Sequence, residues 1–246
     1  MSGHSKWHNI QAKKSKTDAA RAKVFTKIGK EMSIAIREGG PNPVSNSKLA
    51  VLIAKAKSLN VPNDNIDRII KKASGADAVT YEEITYEGFG PSGVAVIVEA
   101  ATDSKNRTAG DVRHYFDKFG GNLGQTGCVG FMFESKGVIV ISAVDEYGDK
   151  TVDGDKLMED ALEAGASDFS EDDGIYEIVC EPDDLEAIKV DLSGKGYTFE
   201  SADVEKVPSS YITLTSEDDI KNMTGLLEHL DDDDDIVNVW HNWDEQ

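Results

Sequence analysis

The sequence predicts an α+β protein: an N-terminal three-helix basic domain followed by two ferredoxin-like α/β domains, one inserted into the other. Three observations lead there. Apolar residues recur with a helical period up to Gly75, and beyond it strand-like alternation and helical stripes take turns. Charge divides at the same point: 15 Lys and Arg face five Asp and Glu up to Gly75, while the rest of the chain holds 11 basic and 41 acidic residues. Finally, the order strand, helix, strand, strand, helix, strand is complete between residues 137 and 207, and a second such set is divided between the flanking segments. The predicted boundaries are 1–78 for the basic helical domain, 79–134 plus 207–246 for the split α/β domain, and 135–206 for the inserted one. Short strand-to-strand connections make such an insertion cost little.

Residues 1–16 lack an apolar period and end in Lys13-Lys14-x-Lys16. From Thr17, a predicted N-cap, a helix carries Phe25, Ile28, Met32, Ala35 and Ile36 on one stripe, with Lys23, Lys27 and Lys30 mostly off it. Gly39-Gly40-Pro41 stops it, glycine supplying the left-handed cap and proline blocking continuation. Ser47 opens a second helix (Leu49, Leu52, Ile53, Ala56, Leu59), and Val61-Pro62 precedes a third (Ile66, Ile69, Ile70, Ala73).

After a polar linker, Glu83–Gly88 and Val94–Ala101 read as strands around a glycine-rich turn. A helix follows from about Arg107 to Phe119, capped by Gly120-Gly121-Asn122, and Cys128–Phe133 reads as a returning strand. The inserted segment offers a strand at Gly137–Ala143 and a helix marked by Leu157, Met158, Ala161 and Leu162. Strands near Ala166–Ser170 and Ile175–Cys180, a helix from Pro182 to Gly194, and strands within Tyr197–Val207 complete it. Tyr211–Thr215 is then expected as a strand, Ser216-x-x-Asp219 as a helix start resembling a capping box, and Ile236–Trp240 as a final strand.

Apolar content of 39% and charged content of 29% suit a folded soluble chain. No apolar run approaches the ~20 residues of a membrane span, and the N-terminus lacks the apolar core of a secretory signal. Cys128 and Cys180 are too few for a disulfide framework or a four-thiolate metal site. A cytoplasmic location is the expectation.

Several long motifs then carry a resemblance. GHSKW at the start, FTK at Phe25–Lys27, KAK with VPNDNIDRIIKKASG, YEGFGPSGVAVIVEAATDSKNRT and GGNLGQTGCVGFMFE resemble the YebC family of transcriptional regulatory and translational activator proteins. The match runs over essentially the whole chain, with the motifs in order. It implies a helical N-terminal domain plus two α/β domains and no assigned enzymatic activity. Some members of that family are described as DNA-binding regulators and others as ribosome-associated factors.

The chemistry read from the residues points the same way. Lys and Arg near a helix start pair with phosphates and release condensed counterions. Trp7, between Lys6 and His8, either stacks on an unpaired base or anchors the segment onto the bundle. Arg107 and Arg113 form an anion-seeking helix start, unless Asn106 simply caps that helix. The candidate nucleic-acid contacts are therefore Lys6, Trp7, Lys13, Lys14, Lys16, Arg21, Lys23, Lys27, Lys30, Arg107 and Arg113. A structure that scattered the early lysines among carboxylates from elsewhere, leaving no contiguous cationic surface, would overturn this reading.

No catalytic residue, cofactor or metal site is predicted. His4 and His8 lack a further ligand, Gly120–Gly127 lacks the Gly-Lys-Ser/Thr ending of a phosphate loop, and Asp231–Asp235 reads as a solvated loop. The expected partners are nucleic acid, DNA or ribosomal RNA, and the ribosome, with no membrane and no small-molecule substrate. The alternative is a protein-interaction adaptor acting through the acidic α/β domains.

Overall fold

A computed structural model describes residues 18–75, 78–144, 149–172 and 174–244, with side chains from residue 22 onward. These form two compact units. Among the described residues, one comprises Asp18–Gly130 together with Leu214–His241, and the other Phe131–Thr213 with Asn242–Asp244.

The first unit opens with helices α1 (Asp18–Gly39), α2 (Ser47–Ser58) and α3 (Asn63–Ala73). The predicted stripes meet: Ile28, Met32, Ala35 and Ile36 of α1 pack with Leu49, Leu52, Ala56, Val61 and Ile66. Burying five to ten such side chains, at roughly 1.5–3 kcal/mol each, is what holds the bundle, whose α2 and α3 are too short to persist alone. The chain reverses after α1 at Gly40, whose φ of 83° suits glycine. Helix α2 opens at Ser47 as expected, and Asn46 caps it: its side chain accepts from Leu49 N–H and donates to Ala35 O and Gly40 O at 2.7 and 2.8 Å. One buried amide thus closes both helix ends.

In the same unit β1 (Glu82–Phe89) and β2 (Ala95–Thr102) form an antiparallel hairpin from Glu82↔Thr102 to Phe89↔Ala95. Helix α4 (Lys105–Lys118) leads to the short β3 (Asn122–Leu123) beside β1. The second helix of this layer, α7 (Glu217–Asp232), and β9 (Ile236–His241) come from beyond the insertion, and the sheet order is β3-β1-β2-β9. Thr108, Val112 and Phe116 of α4 and Met223, Leu226, Leu227 and Leu230 of α7 are the buried faces. Ser216 caps α7 as expected, accepting from Asp219 N–H. Helix α1 packs against β2 and β9.

Two expected strands of this sheet are corrected. Cys128–Phe133 is not a strand: Gly130–Met132 is a short 3-10 turn, and Phe133 begins a strand of the other unit. The amides that a ladder would use are drawn instead to the Glu87 carboxylate. Of Tyr211–Thr215, only β8 (Ile212–Thr213) is extended, and it pairs parallel with β10 (Trp243–Asp244), outside this sheet. The four-stranded antiparallel layer with two helices is kept, but its first strand comes from the hairpin.

Tight passage explains the glycines after α4. Gly120 sits at φ 75°, and a Cβ on Gly121 would lie 2.5 Å from Phe89 O and 3.1 Å from Gly90 Cα, both backbone atoms. Gly121→Ala should therefore destabilise the chain by about 1–3 kcal/mol, the usual cost of overpacking. Urea unfolding checks it; an unchanged midpoint would show that this strand edge yields freely.

The second unit follows its predicted order. Strand β4 (Phe133–Ser142), α5 (Gly154–Ala164), β5 (Asp168–Asp172), β6 (Ile175–Cys180), α6 (Leu185–Gly194) and β7 (Ser201–Pro208) make an antiparallel sheet β5-β6-β4-β7. This is the ferredoxin-like split arrangement. Ile139, Ile141, Leu157, Tyr176, Ile178, Ile188 and Leu192 fill its core. Asp153 caps α5 by accepting from Asp155 and Lys156 N–H, and Gly165 ends it in the left-handed region at φ 107°.

Candidate nucleic-acid interface

Lys23, Lys27 and Lys30 stand at i, i+4 and i+7, so α1 presents them as one row. That row faces the end of α7 and the turn into β9. Lys23 Nζ donates to the Asp232 carboxylate, and Lys27 Nζ donates to Asp231 O at 2.6 Å and Oδ1 at 3.1 Å. Lys30 Nζ donates to Asp235 Oδ1 at 2.6 Å and Asp234 O at 2.9 Å, and lies 5.5 Å from the centre of the Tyr81 ring.

The inner end of this row is buried and the outer end is wet. Side-chain exposure is 11% and 9% for Lys30 and Asp235, against 40% and 76% for Lys23 and Asp232. The other Asp235 oxygen receives Arg107 Nη2 at 2.6 Å and the hydroxyls of Thr108 and Thr102 at 2.9 and 3.0 Å. Burial alone would push this carboxyl up, but the hydrogen bonds from Lys30, Arg107 and Thr108 outweigh it and hold the group well below the ordinary carboxylate range. Arg107 also reaches Asp103 at 2.8 Å. Lys30, Asp103, Arg107 and Asp235, with Tyr115 donating to Asp233 at 3.1 Å, border an open cleft of about 480 Å³.

Asp231–Asp235, expected as a solvated loop, is thus the last turn of α7 and a turn that clasps α1. The signal was present in the sequence as a three-lysine stripe and a five-aspartate run, but 204 residues separate Lys27 from Asp231. Four predicted contacts, Lys23, Lys27, Lys30 and Arg107, are held in ion pairs here. Arg113 is exposed on α4, away from the cleft lining. Lys6, Trp7, Lys13, Lys14 and Lys16 lie outside the described residues, as does the side chain of Arg21. Lys48 pairs with Glu38 and Glu83. Arg37, Lys57, Arg68, Lys71 and Lys72 remain exposed, the last three being neighbours on one face of α3.

A second constellation organises the loop after β3. Glu87, only 6% exposed on β1, accepts N–H groups from Gly127 at 2.8 Å through Oε1, and from Val129 at 2.8 Å and Gly130 at 2.7 Å through Oε2. Its backbone oxygen takes Gly124 N–H at 2.8 Å. Burial, with this carboxylate nearby, pushes the Cys128 thiol up, away from the thiolate form. Sequence reading saw the glycines of the loop but not the buried acid that holds it. A lone Glu in an alternating strand looks like a solvent-facing residue.

Among the described residues no group of three His, Cys, Asp or Glu side chains is set to hold a metal ion. No described helix is long and apolar enough to cross a membrane.

A basic helical bundle joined to α/β layers, one inserted in the other, defines an α+β class of multidomain chain. The family models agree: the TACO1/YebC protein N-terminal domain matches residues 5–76, and the TACO1/YebC second and third domain matches residues 81–243. The chain belongs to the TACO1/YebC family. A probable transcriptional regulatory protein of Acetivibrio thermocellus is 54% identical over 99% of both chains. Another, from Ruminiclostridium cellulolyticum, is 55% identical over 100% of this chain and 97% of its own. The crystal structure of a conserved hypothetical protein from Aquifex aeolicus superposes with a TM-score of 0.83 at 40% identity, covering 94% of this chain and 93% of that one.

Proposed function

We propose that this chain is a non-enzymatic, cytoplasmic regulator of gene expression that binds nucleic acid through its basic leading third. The observation that carries the reading is the charge division, 15 basic against five acidic residues up to Gly75 in a chain of net charge −20. A surface built only for solubility intersperses its signs. Relatives named as probable transcriptional regulatory proteins support the same direction.

With the α1 lysines engaged by aspartates, phosphate contacts fall first to Lys6, Lys13, Lys14, Lys16 and Arg21, with Trp7 beside them, and to Arg68, Lys71 and Lys72 on α3. The acidic remainder repels a polyanion and is held off it. That build suits a structured RNA with protein alongside, as in a ribosome, better than a uniform duplex.

Salt titration tests the reading. If about five phosphates are neutralised, log affinity falls against log salt with a slope of about −3.5 on single strands and about −4.5 on duplex. Replacing Lys13, Lys14 and Lys16 by Ala should flatten that slope by about 2 to 3 and weaken binding irrespective of base sequence. A salt-independent affinity would sink the proposal. Ribonuclease treatment of an extract followed by sizing addresses the adaptor alternative, since an adaptor would stay in its large complex.

A further inference from the structure

We infer that the α1 row is a second phosphate-binding surface, held shut by Asp231 and Asp232, which occupy Lys23 and Lys27 as nucleic-acid phosphates would. The inference rests on the nucleic-acid reading above and adds to it a masked surface and its gate.

Two separate features argue for a gate rather than simple glue. The first is the gradient of burial along the row. The Lys30–Asp235 pair is enclosed and joined to Arg107, Thr102 and Thr108, so it anchors α1 permanently. Outward the acids open, Asp231 and Asp232 being 55% and 76% exposed; Lys27 is still only 13% exposed, so the Lys23–Asp232 pair, with Lys23 at 40%, is the one open on both sides. Exposed ion pairs contribute little and weaken with salt, so a polyanion can displace them while the inner pair keeps the helix in register.

The second feature is that α7 gains nothing from these acids. They sit at its C-terminal end, where the helix dipole disfavours negative charge, whereas Glu217, Asp218 and Asp219 occupy the favourable first turn. The lysines compensate for that placement, and freeing the aspartates from the lysines leaves the apolar face of α7 (Met223, Leu226, Leu230) untouched. Opening the outer pairs therefore needs no unfolding of the layer beneath.

The experiment uses the full chain and a 20-nucleotide unstructured RNA, with affinity read by fluorescence anisotropy across a salt series. Asp231→Asn/Asp232→Asn should bind about 2- to 30-fold more tightly than wild type, the range expected from removing two exposed pairs, with a slope steeper by about 1.4. Adding Lys23→Gln/Lys27→Gln should abolish that gain. A control that neutralises two exposed acids of the same unit, Asp117→Asn/Glu228→Gln, changes net charge equally and should gain much less.

An unchanged affinity in Asp231→Asn/Asp232→Asn, when wild type does bind, overturns the gate alone. An equal gain in the control, or a gain that survives loss of both lysines, overturns it too, as does a gain for poly-glutamate without one for RNA. No binding by any form overturns the nucleic-acid reading itself.

Discussion

Asp235→Ala is expected to cost about 3–5 kcal/mol, the usual consequence of removing one partner from a buried ion pair. The carboxylate is the common acceptor for Lys30, Arg107, Thr102 and Thr108, which belong to α1, the end of β2 and the start of α4. Without it the Lys30 ammonium stays enclosed with Asp234 O as its remaining oxygen partner among the described hydrogen bonds. Asp235→Asn keeps the shape and loses the charge, so it should fall between wild type and alanine. Lys23→Ala removes an exposed pair and should shift stability by no more than about 1 kcal/mol. Urea unfolding followed by circular dichroism ranks the three, and equal effects at Lys23 and Asp235 would refute the gradient of burial.

Acid gives the same residue a second readout. The folded-state pKa of Asp235 is depressed, so its contribution is complete above the unfolded-chain value of about 3.9 and is lost as pH falls below it toward the folded value. Wild type should therefore lose its advantage over Asp235→Asn as pH drops from about 5 to about 2. A gap that stays constant over that window would place the stabilisation somewhere other than the ionised carboxylate.

Glu87→Ala is the other large effect, expected at roughly 2–4 kcal/mol because three amides lose a charged acceptor. The Oε2 atom serves both Val129 and Gly130, so Glu87→Gln can satisfy those two with its remaining oxygen. Its NH2 group then confronts the Gly127 N–H that Oε1 used to accept, so glutamine should lose that one bond and still be milder than alanine, which loses all three. Hydrogen exchange at Gly127, Val129 and Gly130 should accelerate in Glu87→Ala ahead of the sheet amides. Exchange that stays slow at those three positions would show that the loop holds itself.

What the sequence revealed follows from where each element finds its partners. The stripes of α1, α2 and α3 were legible because side-chain period alone assigns their faces, and β4-α5-β5-β6-α6-β7 was legible because it closes on neighbours in the chain. Cys128–Phe133 and Tyr211–Thr215 have strand-like alternation too, but hydrogen-bond partners elsewhere decide their fate: Glu87 takes the amides of the first, and β10 pairs with part of the second. The start of α2 at Ser47 was legible, but the Asn46 cap before it was not, because only the contacts to Ala35 O and Gly40 O show what that amide does. In the candidate site, the lysine row was visible and its aspartate partners were not, since period says nothing about a contact across two hundred positions.

The insertion sets a timetable for synthesis. Strand β2 lies between β1 and β9, and the stretch 231–241 carries both the clasping aspartates and β9. A nascent chain therefore emerges with an uncovered strand edge and a bare cationic helix, while the contiguous β4–β7 part of the inserted unit can already fold. Both liabilities are retired by the same late arrival, so a product cut short before residue 231 presents an unpaired strand edge and loose positive charge together.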